Sequence, residues 1–392
     1  MNVLTVPFAH GLCAPRSGAQ TRLFHLVKRL TSLDASVVVL EDQRYSNSRE
    51  KELITPYHFR DIDAGNRHLV PLRDVNINFI KTLFKALRNE TIDIAEFSYP
   101  AGMLTAKVLI KLMGKKNPLI YHPYDVGTEF VEITIMDEIY TLPEKWLLRM
   151  YIWIMEWLVC SFLADHIIAV SERDREVLIN KYRLPRRKTS VIPSGTHIYD
   201  TNRYTSNPNV KRDFGIDPSK IVIFFNGSYS HPANKEAIDV IKSQIAPRFE
   251  EDRRAFFLVG GAGVPEFSSS NVRSIGFIQD LPALLANVDI AIVPVLHGGG
   301  TRLKVFDYMA ARLPIVTTQK GAQGINIANR EQAIIVDGVG DGFVDAIKFL
   351  IDNPEERKRI GASARMLIEQ QHDWDKIGDR LNTLYAQLSS DG

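Results

Sequence analysis

Three consecutive glycines, Gly298, Gly299 and Gly300, follow an apolar run ending at Val295 and precede Thr301, Arg302 and Lys304. Glycines at such a point let the backbone approach a ligand with no side chain in the way. Thr301 is a good N-cap for the helix expected to follow. The free amides of a helix start, and the positive end of its dipole, favour an anion. Arg302 and Lys304 add full positive charge to the first turn, the wrong sign for the dipole, so the two cations are read as serving a ligand. Asp307 lies about one helical turn beyond Lys304. A carboxylate there could bind the two hydroxyls of a ribose. A plain glycine turn with solvated Arg and Lys is the alternative, and it leaves the convergence of these features within one strand–loop–helix unit unexplained.

Other residues could take part. His122 ends a predicted strand and Asp125 lies in the loop beyond it; Glu129 follows in the same stretch. A lone histidine at a strand end is often structural, so both readings stay open for His122. Arg16, Ser17 and Gly18 form the loop after the first predicted strand. The GGAG of residues 260–263 invites a dinucleotide reading but lacks the full glycine spacing and a convincing acidic residue some twenty positions on. It reads as a strand-end turn. Basic residues gather at 181–188 (KYRLPRRK) and at Lys81, Lys85 and Arg88. They are candidates for an anionic acceptor or lipid headgroups, or simply solvated surface.

The elements that must position these residues follow from periodicity. Short apolar runs alternate with helical spacing throughout the 392 residues. In the first half, strands are expected near 3–8, 36–40, 92–97, 118–122 and 166–171, with helices near 21–33, 79–89 and 103–113. Residues 42–78 are polar and irregular, and no element is assigned there. In the second half, strands are expected at IVIFFN, AFFLVG, VRSIGF, DIAIVPV, PIVTT and AIIVD, separated by helical segments. The fold class is therefore α/β: two Rossmann-like, doubly wound parallel-sheet domains facing a cleft. The boundary is expected near 195, giving 1–195 and 196–373, with a last helix over 374–392. Ligands of such sheets bind at the carboxyl ends of strands, where the glycine loop, His122 and Asp125 lie.

Composition narrows the class. Hydrophobic residues make up 45% and charged residues 24%, as in an ordinary globular protein. A net charge of +2 does not argue for nucleic acid. Two cysteines, Cys13 and Cys160, make no disulfide framework, and no spacing suggests a metal site. The expected compartment is cytoplasmic. The most apolar stretch runs from Trp146 to Ser171; Arg149 and Glu156 interrupt it, so it is expected to be a buried helix feeding a buried strand, not a spanning one. A peripheral contact with the inner face of a membrane is the alternative.

The stretch HGGGTRLKVFDYMA, residues 297–310, resembles the nucleotide-sugar motif of retaining glycosyltransferases with the GT-B fold, family 4 or group 1. Further segments resemble that family in the same order: HIIAVSERDREVL, VIPSGTHIY, FFNGSYSHPANKEAI and SIGFIQDLPALLANVDIAIVP. The final helix from Trp374 resembles the family's helix that crosses back to the first domain. The likeness is strong from about 165 onward.

The resemblance implies roles for individual residues. His297, Gly298, Gly299, Gly300 and Thr301 would hold phosphate and donor sugar, Arg302 and Lys304 would neutralise the diphosphate, and Asp307 would bind the ribose. Ile278 would lie against the base, and Gly227 and Ser228 would approach the diphosphate. His122 and Asp125 would act at the reacting centre, and Arg16, Ser17 and Gly18 would meet the acceptor. The sequence departs from the family at two places: Gly299 replaces a sugar-contacting glutamate, and Ser228 replaces a clamp arginine, so Arg302 and Lys304 are expected to take over the clamp. The implied activity is a retaining, metal-independent glycosyltransferase without a cofactor. It would move a sugar from a nucleotide-diphosphate donor to a carbohydrate, lipid-linked or small-molecule hydroxyl. The alternatives are a non-catalytic nucleotide-sugar-binding partner subunit and a sugar-nucleotide epimerase of the same fold.

Overall fold

A computed structural model describes residues 1–7, 18–43, 53–60, 73–127, 129, 141–198, 211–212 and 214–390. The chain divides into two compact units, Met1–Ser194 with Trp374–Gly392, and Gly195–Asp373.

The first unit holds a seven-stranded sheet of β1 (Asn2–Val6), β2 (Ser36–Asp42), β3 (Thr55–Phe59), β4 (Ile94–Phe97), β5 (Leu119–Tyr121), β6 (His166–Ala169) and β7 (Thr189–Val191), in the order β3-β2-β1-β4-β5-β6-β7. Its strand pairs are parallel. These strands read as continuous apolar runs because parallel strands are covered on both faces. β3 falls in the segment where the sequence assigned nothing. Its TPYHF lies at the sheet edge and is only partly buried, so it lacks the apolar run that marks the other strands.

Helices α1 (Gly18–Ser32), α2 (Ile77–Asn89), α3 (Met103–Leu112), α4 (Leu142–Leu158) and α5 (Glu172–Tyr182) alternate with these strands. Asn76 starts α2 by accepting from the amides of Asn78 and Phe79 at 2.9 and 3.2 Å. Asp74 accepts from the amides of Gly102 and Thr105 at 2.8 and 2.9 Å, which places a carboxylate at the start of α3. A terminal helix, named α11 below, joins this unit over Trp374–Ser390. Its Trp374, Ile377, Leu381 and Tyr385 are buried with the apolar face of α1. Arg29 of α1 is 2.8 Å from Asp379, and His25 stacks on Trp374.

The second unit holds β8 (Ile221–Asn226), β9 (Ala255–Gly260), β10 (Val272–Ser274), β11 (Ile290–Val293), β12 (Ile315–Thr318) and β13 (Ile334–Val336), again parallel, in the order β10-β9-β8-β11-β12-β13. Its helices are α6 (Pro232–Val240), α7 (Leu281–Leu285), α8 (Leu303–Ala310), α9 (Asp341–Asp352) and α10 (Pro354–Gln371). Strand order reverses between β1 and β4 in one sheet and between β8 and β11 in the other. At such switch points adjacent loops diverge and leave a crevice at the carboxyl ends of the strands.

The apolar stretch corrects one expectation. α4 is not a buried helix. Only Leu148, Ile152 and Glu156 are buried along it, whereas Trp146, Leu147, Trp153, Ile154 and Trp157 are exposed. The polar residue points inward. Glu156 is fully buried and accepts from the amide of Gly127 at 2.8 Å and from the hydroxyls of Tyr182 and Tyr121 at 2.7 and 3.2 Å. Hydropathy averaged along the segment could not tell which side faces the core. Removing this acceptor leaves three buried donors unmet. Glu156→Ala should therefore lower unfolding stability by about 3 kcal/mol, measured by urea denaturation, and a change under about 0.5 kcal/mol would contradict this packing.

Candidate active site

In the second unit, β8 and β11 are neighbours, so the turn after β8 and the glycine loop after β11 lie side by side. The two are joined by side chains. Lys304, in the first turn of α8, donates from Nζ to Asn234 Oδ1 at 2.7 Å. Asn234 Nδ2 donates in turn to the Ser228 carbonyl at 3.1 Å. The Lys304 ammonium also lies over the ring of Phe225, 4.1 Å from its centre. Both partners are uncharged. Burial, and then the charge of Arg302, push the Lys304 amine well below its ordinary range. Partial burial and the charges of Arg302 and Lys304 push His231, just before α6, down to about 4. The start of α8 is thus a region of positive potential.

The helix begins one residue later than expected. Arg302, not Thr301, occupies the N-cap position of α8. Gly298 and Gly300 take φ of 114° and 65°, a left-handed path that carries the chain past Thr301 before helical geometry starts. The Thr301 hydroxyl is buried without a hydrogen-bond partner. Arg302 turns back on the loop and donates to the carbonyls of Gly299 and His297, the latter at 3.2 Å. His297 Nδ1 is 2.9 Å from Glu236 of α6 and is half exposed. Asp307, the next turn along, accepts from the Thr196 hydroxyl at 2.7 Å, and burial pushes its carboxyl up to about 6.

The glycines of residues 260–263 have a structural task. The Gly261 amide donates to Gly276 O at 2.7 Å, and Gly227 N donates to Gly260 O at 3.0 Å. A side chain on Gly261, whose φ is 142°, would lie 2.0 Å from Gly227 O. The loop therefore packs directly under the β8 turn. Ile278 is partly buried and fills the space beside Gly260, where a side chain would meet it at 2.5 Å. Tyr308 of α8, fully buried, receives the Asn226 amide at 2.9 Å and donates to Asn226 Oδ1 at 2.6 Å, which fixes the end of β8 just before Gly227.

In the first unit His122 follows β5 and is fully buried. Its Nε2 lies 2.8 Å from Arg22 Nη2, which can only donate, so Nδ1 carries the proton and donates to Glu96 at 2.9 Å. Burial pushes the imidazole below its ordinary value despite Glu96. Burial also raises the Glu96 carboxyl, but His122, Tyr385 and Arg22 outweigh it and hold the group low. Tyr385 of α11 donates to the other Glu96 oxygen. Arg22 donates to Pro193 O and Ser194 Oγ at 2.7 and 3.0 Å. The chain after β5 is thus pinned at His122 by Glu96 and Arg22, and at Gly127 by Glu156. Asp125 lies half-buried between these anchors. Both ring nitrogens of His122 are spent on protein partners.

Gly18 opens α1, while Arg16 and Ser17 lie outside the described residues. Glu129 is 20% exposed and pairs with Arg173. Among the described residues no three His, Cys, Asp or Glu side chains gather closely enough to hold a metal ion. Sequence reading missed Asn234, Tyr308, Arg22, Glu96 and Tyr385. Glu96 carried a signal, a charged residue inside a strand covered on both faces. Tyr385 carried none, because its partner is 289 residues away.

Comparison with known proteins fixes the family. Residues 16–198 match the model of Glycosyltransferase Family 4, and residues 220–353 that of Glycosyl transferases group 1. The chain belongs to these glycosyltransferases. It is 24% identical over 244 residues to a GDP-mannose-dependent monoacylated alpha-(1-6)-phosphatidylinositol monomannoside mannosyltransferase of Corynebacterium glutamicum, a match spanning 55% of this chain and 62% of that enzyme. Among solved structures it resembles sucrose-phosphate synthase of Thermosynechococcus elongatus, with a TM-score of 0.76, 14% identity and 100% of both chains covered. Anabaena HepE in complex with UDP gives a TM-score of 0.71 at 15% identity, over 99% of this chain and 100% of that one. The glycosyltransferase thus has the GT-B fold of these neighbours.

The Asp307 carboxyl gives a test within the second unit. Its value in the folded protein is raised, so its contribution to stability is present at low pH and is lost as pH rises through about 6. Thermal unfolding of wild type and Asp307→Asn should therefore diverge between pH 4 and 7, the wild type losing ground as pH rises. A difference that stays constant across that range would contradict the burial of Asp307.

Proposed function

We propose that this glycosyltransferase takes a nucleoside-diphosphate sugar as donor and passes the sugar, with retention, to a hydroxyl of a carbohydrate or lipid-linked acceptor. The reading rests on Lys304, whose amine is held beside the β8 turn by Asn234 and forms no ion pair with an acidic group among the described residues. An anion arriving there meets that ammonium, the Arg302 guanidinium and the amides of the glycine loop together. Departure of the diphosphate builds charge on its oxygens, and fixed donors around those oxygens lower the barrier. In this reading the cations do the work a metal does elsewhere. Asp307, one turn on, supplies a carboxylate for the ribose hydroxyls. The acceptor proton goes to the departing phosphate on the same face of the sugar, so no protein base is obligatory.

Two relatives support the donor class. HepE has been crystallised with UDP and with UDP-glucose, and the corynebacterial mannosyltransferase is GDP-mannose-dependent. The chemistry of His122 favours transfer over epimerisation. An epimerase needs acid and base groups that reach the sugar, and this imidazole is closed on both nitrogens.

Arg302→Ala and Lys304→Ala should each lower kcat with the preferred sugar nucleotide by about a hundredfold or more, measured as nucleoside diphosphate released in the presence of acceptor. Donor turnover unchanged in both variants would overturn the assignment. Sugar nucleotide incubated without acceptor should return no epimer.

A further inference from the structure

α4 presents an apolar face that nothing described covers. Trp146, Trp153 and Trp157 are 61%, 47% and 39% exposed on it, with Leu147 and Ile154 at 53% and 43%. Phe162, in the wider turn Val159–Leu163 that ends the helix, is 63% exposed. The protein has four tryptophans, so three of them stand on this one surface. α3 packs against the same turn and carries Leu104, Val108 and Leu112, four residues apart and all exposed.

Basic residues without an acidic partner among the described residues flank this surface. Glu156 is buried, and Glu144 is tied to the amide and hydroxyl of Thr141 at the helix start. That leaves Lys145 and Arg149 as the cations of α4, with Lys111 on α3 and Arg187 nearby. None of these four pairs with an acidic group among the described residues. The Lys188 ammonium donates to Cys160 O at 2.8 Å, which sets the basic turn Arg186–Lys188 against the end of the helix.

We propose that this face of the first unit docks on an anionic lipid surface, with α4 lying in the plane of the interface. Tryptophan suits that boundary because its ring is apolar and its N–H is polar. Basic residues beside an apolar helical face add attraction to anionic headgroups. By length and composition Leu142–Leu163 could cross a bilayer, but two observations keep it at the surface. Glu156 is bonded to Tyr121, Tyr182 and Gly127, and Val159, Cys160 and Leu163 belong to the core of the unit. Spanning would strip all of these from their partners. A second copy of the chain fits less well, since a twofold contact through this face would bring like cations together. The inference stands apart from the transfer reaction and does not need it.

The test is co-flotation of the full chain with vesicles of phosphatidylcholine alone and with vesicles that also contain phosphatidylglycerol. The protein should float with the anionic vesicles, bind less at high salt, and show tryptophan fluorescence quenched by brominated lipid. Trp146→Ser, Trp153→Ser and Trp157→Ser combined should abolish quenching and weaken binding. Arg149→Glu, which keeps the apolar face, should weaken binding to the anionic vesicles by about tenfold. All of these side chains are exposed, and thermal unfolding checks that the variants remain folded. Failure of the wild type to bind anionic vesicles would overturn the proposal. So would a dimer in solution that the triple variant disrupts while vesicle binding is absent.

Discussion

The second unit is organised around an amine that is partly withdrawn from water and has no acidic partner among the described residues. Lys304 rests on an amide oxygen and an aromatic ring. Withdrawing a charge from water costs several kcal/mol unless something of opposite sign offsets it, and otherwise the group yields its proton. The neighbouring architecture holds the amine in place all the same. Tyr308 fixes the end of β8, the glycines of 260–263 let the next strand's loop pack beneath the β8 turn, and Asn234 ties that turn to Lys304. Such an arrangement is unfavourable when empty and favourable once an anion enters. That is the property expected of a site pre-organised for a diphosphate.

The first unit spends its buried polar groups differently. Glu96, His122, Arg22 and Tyr385 satisfy one another, and Glu156 satisfies two tyrosines and an amide. These networks cross long sequence separations. The Tyr385–Glu96 bond makes the terminal helix part of the sheet's own interior, and the Trp374 packing on α1 does the same at its surface. The networks position the chain between His122 and Gly127, where Asp125 is carried. Glu96 and Arg22 hold that chain at His122.

Much of this is legible in the sequence. The alternation of apolar strands and amphipathic helices shows two doubly wound sheets, because buried parallel strands leave long apolar runs. The glycine run with Arg302, Lys304 and Asp307 is where the proposed donor site is read, because its meaning lies in local order along the chain. What failed to show was set at a distance or by orientation. Thr301 has the better capping side chain, yet the left-handed path through Gly298 and Gly300 moves the cap to Arg302. α4 has the composition of a core helix, yet Glu156 faces the core and the tryptophans face out. Asn234 links two loops that are about 70 residues apart in the chain, a contact that local order does not carry.

Lys304 is proposed to meet a diphosphate in its charged form. Calorimetric titration of wild type and Lys304→Met with UDP, GDP, ADP and TDP, in two buffers of different ionisation heat, tests it most directly. Because burial holds the amine well below its ordinary range, an anion that stabilises the charged form should draw in a proton on binding. The account predicts buffer-dependent heats and uptake of protons for the preferred nucleotide with wild type. In Lys304→Met it predicts buffer-independent heats and affinity lower by about tenfold or more, equivalent to at least about 1.4 kcal/mol. Equal affinity and equal proton uptake in the two proteins would contradict it.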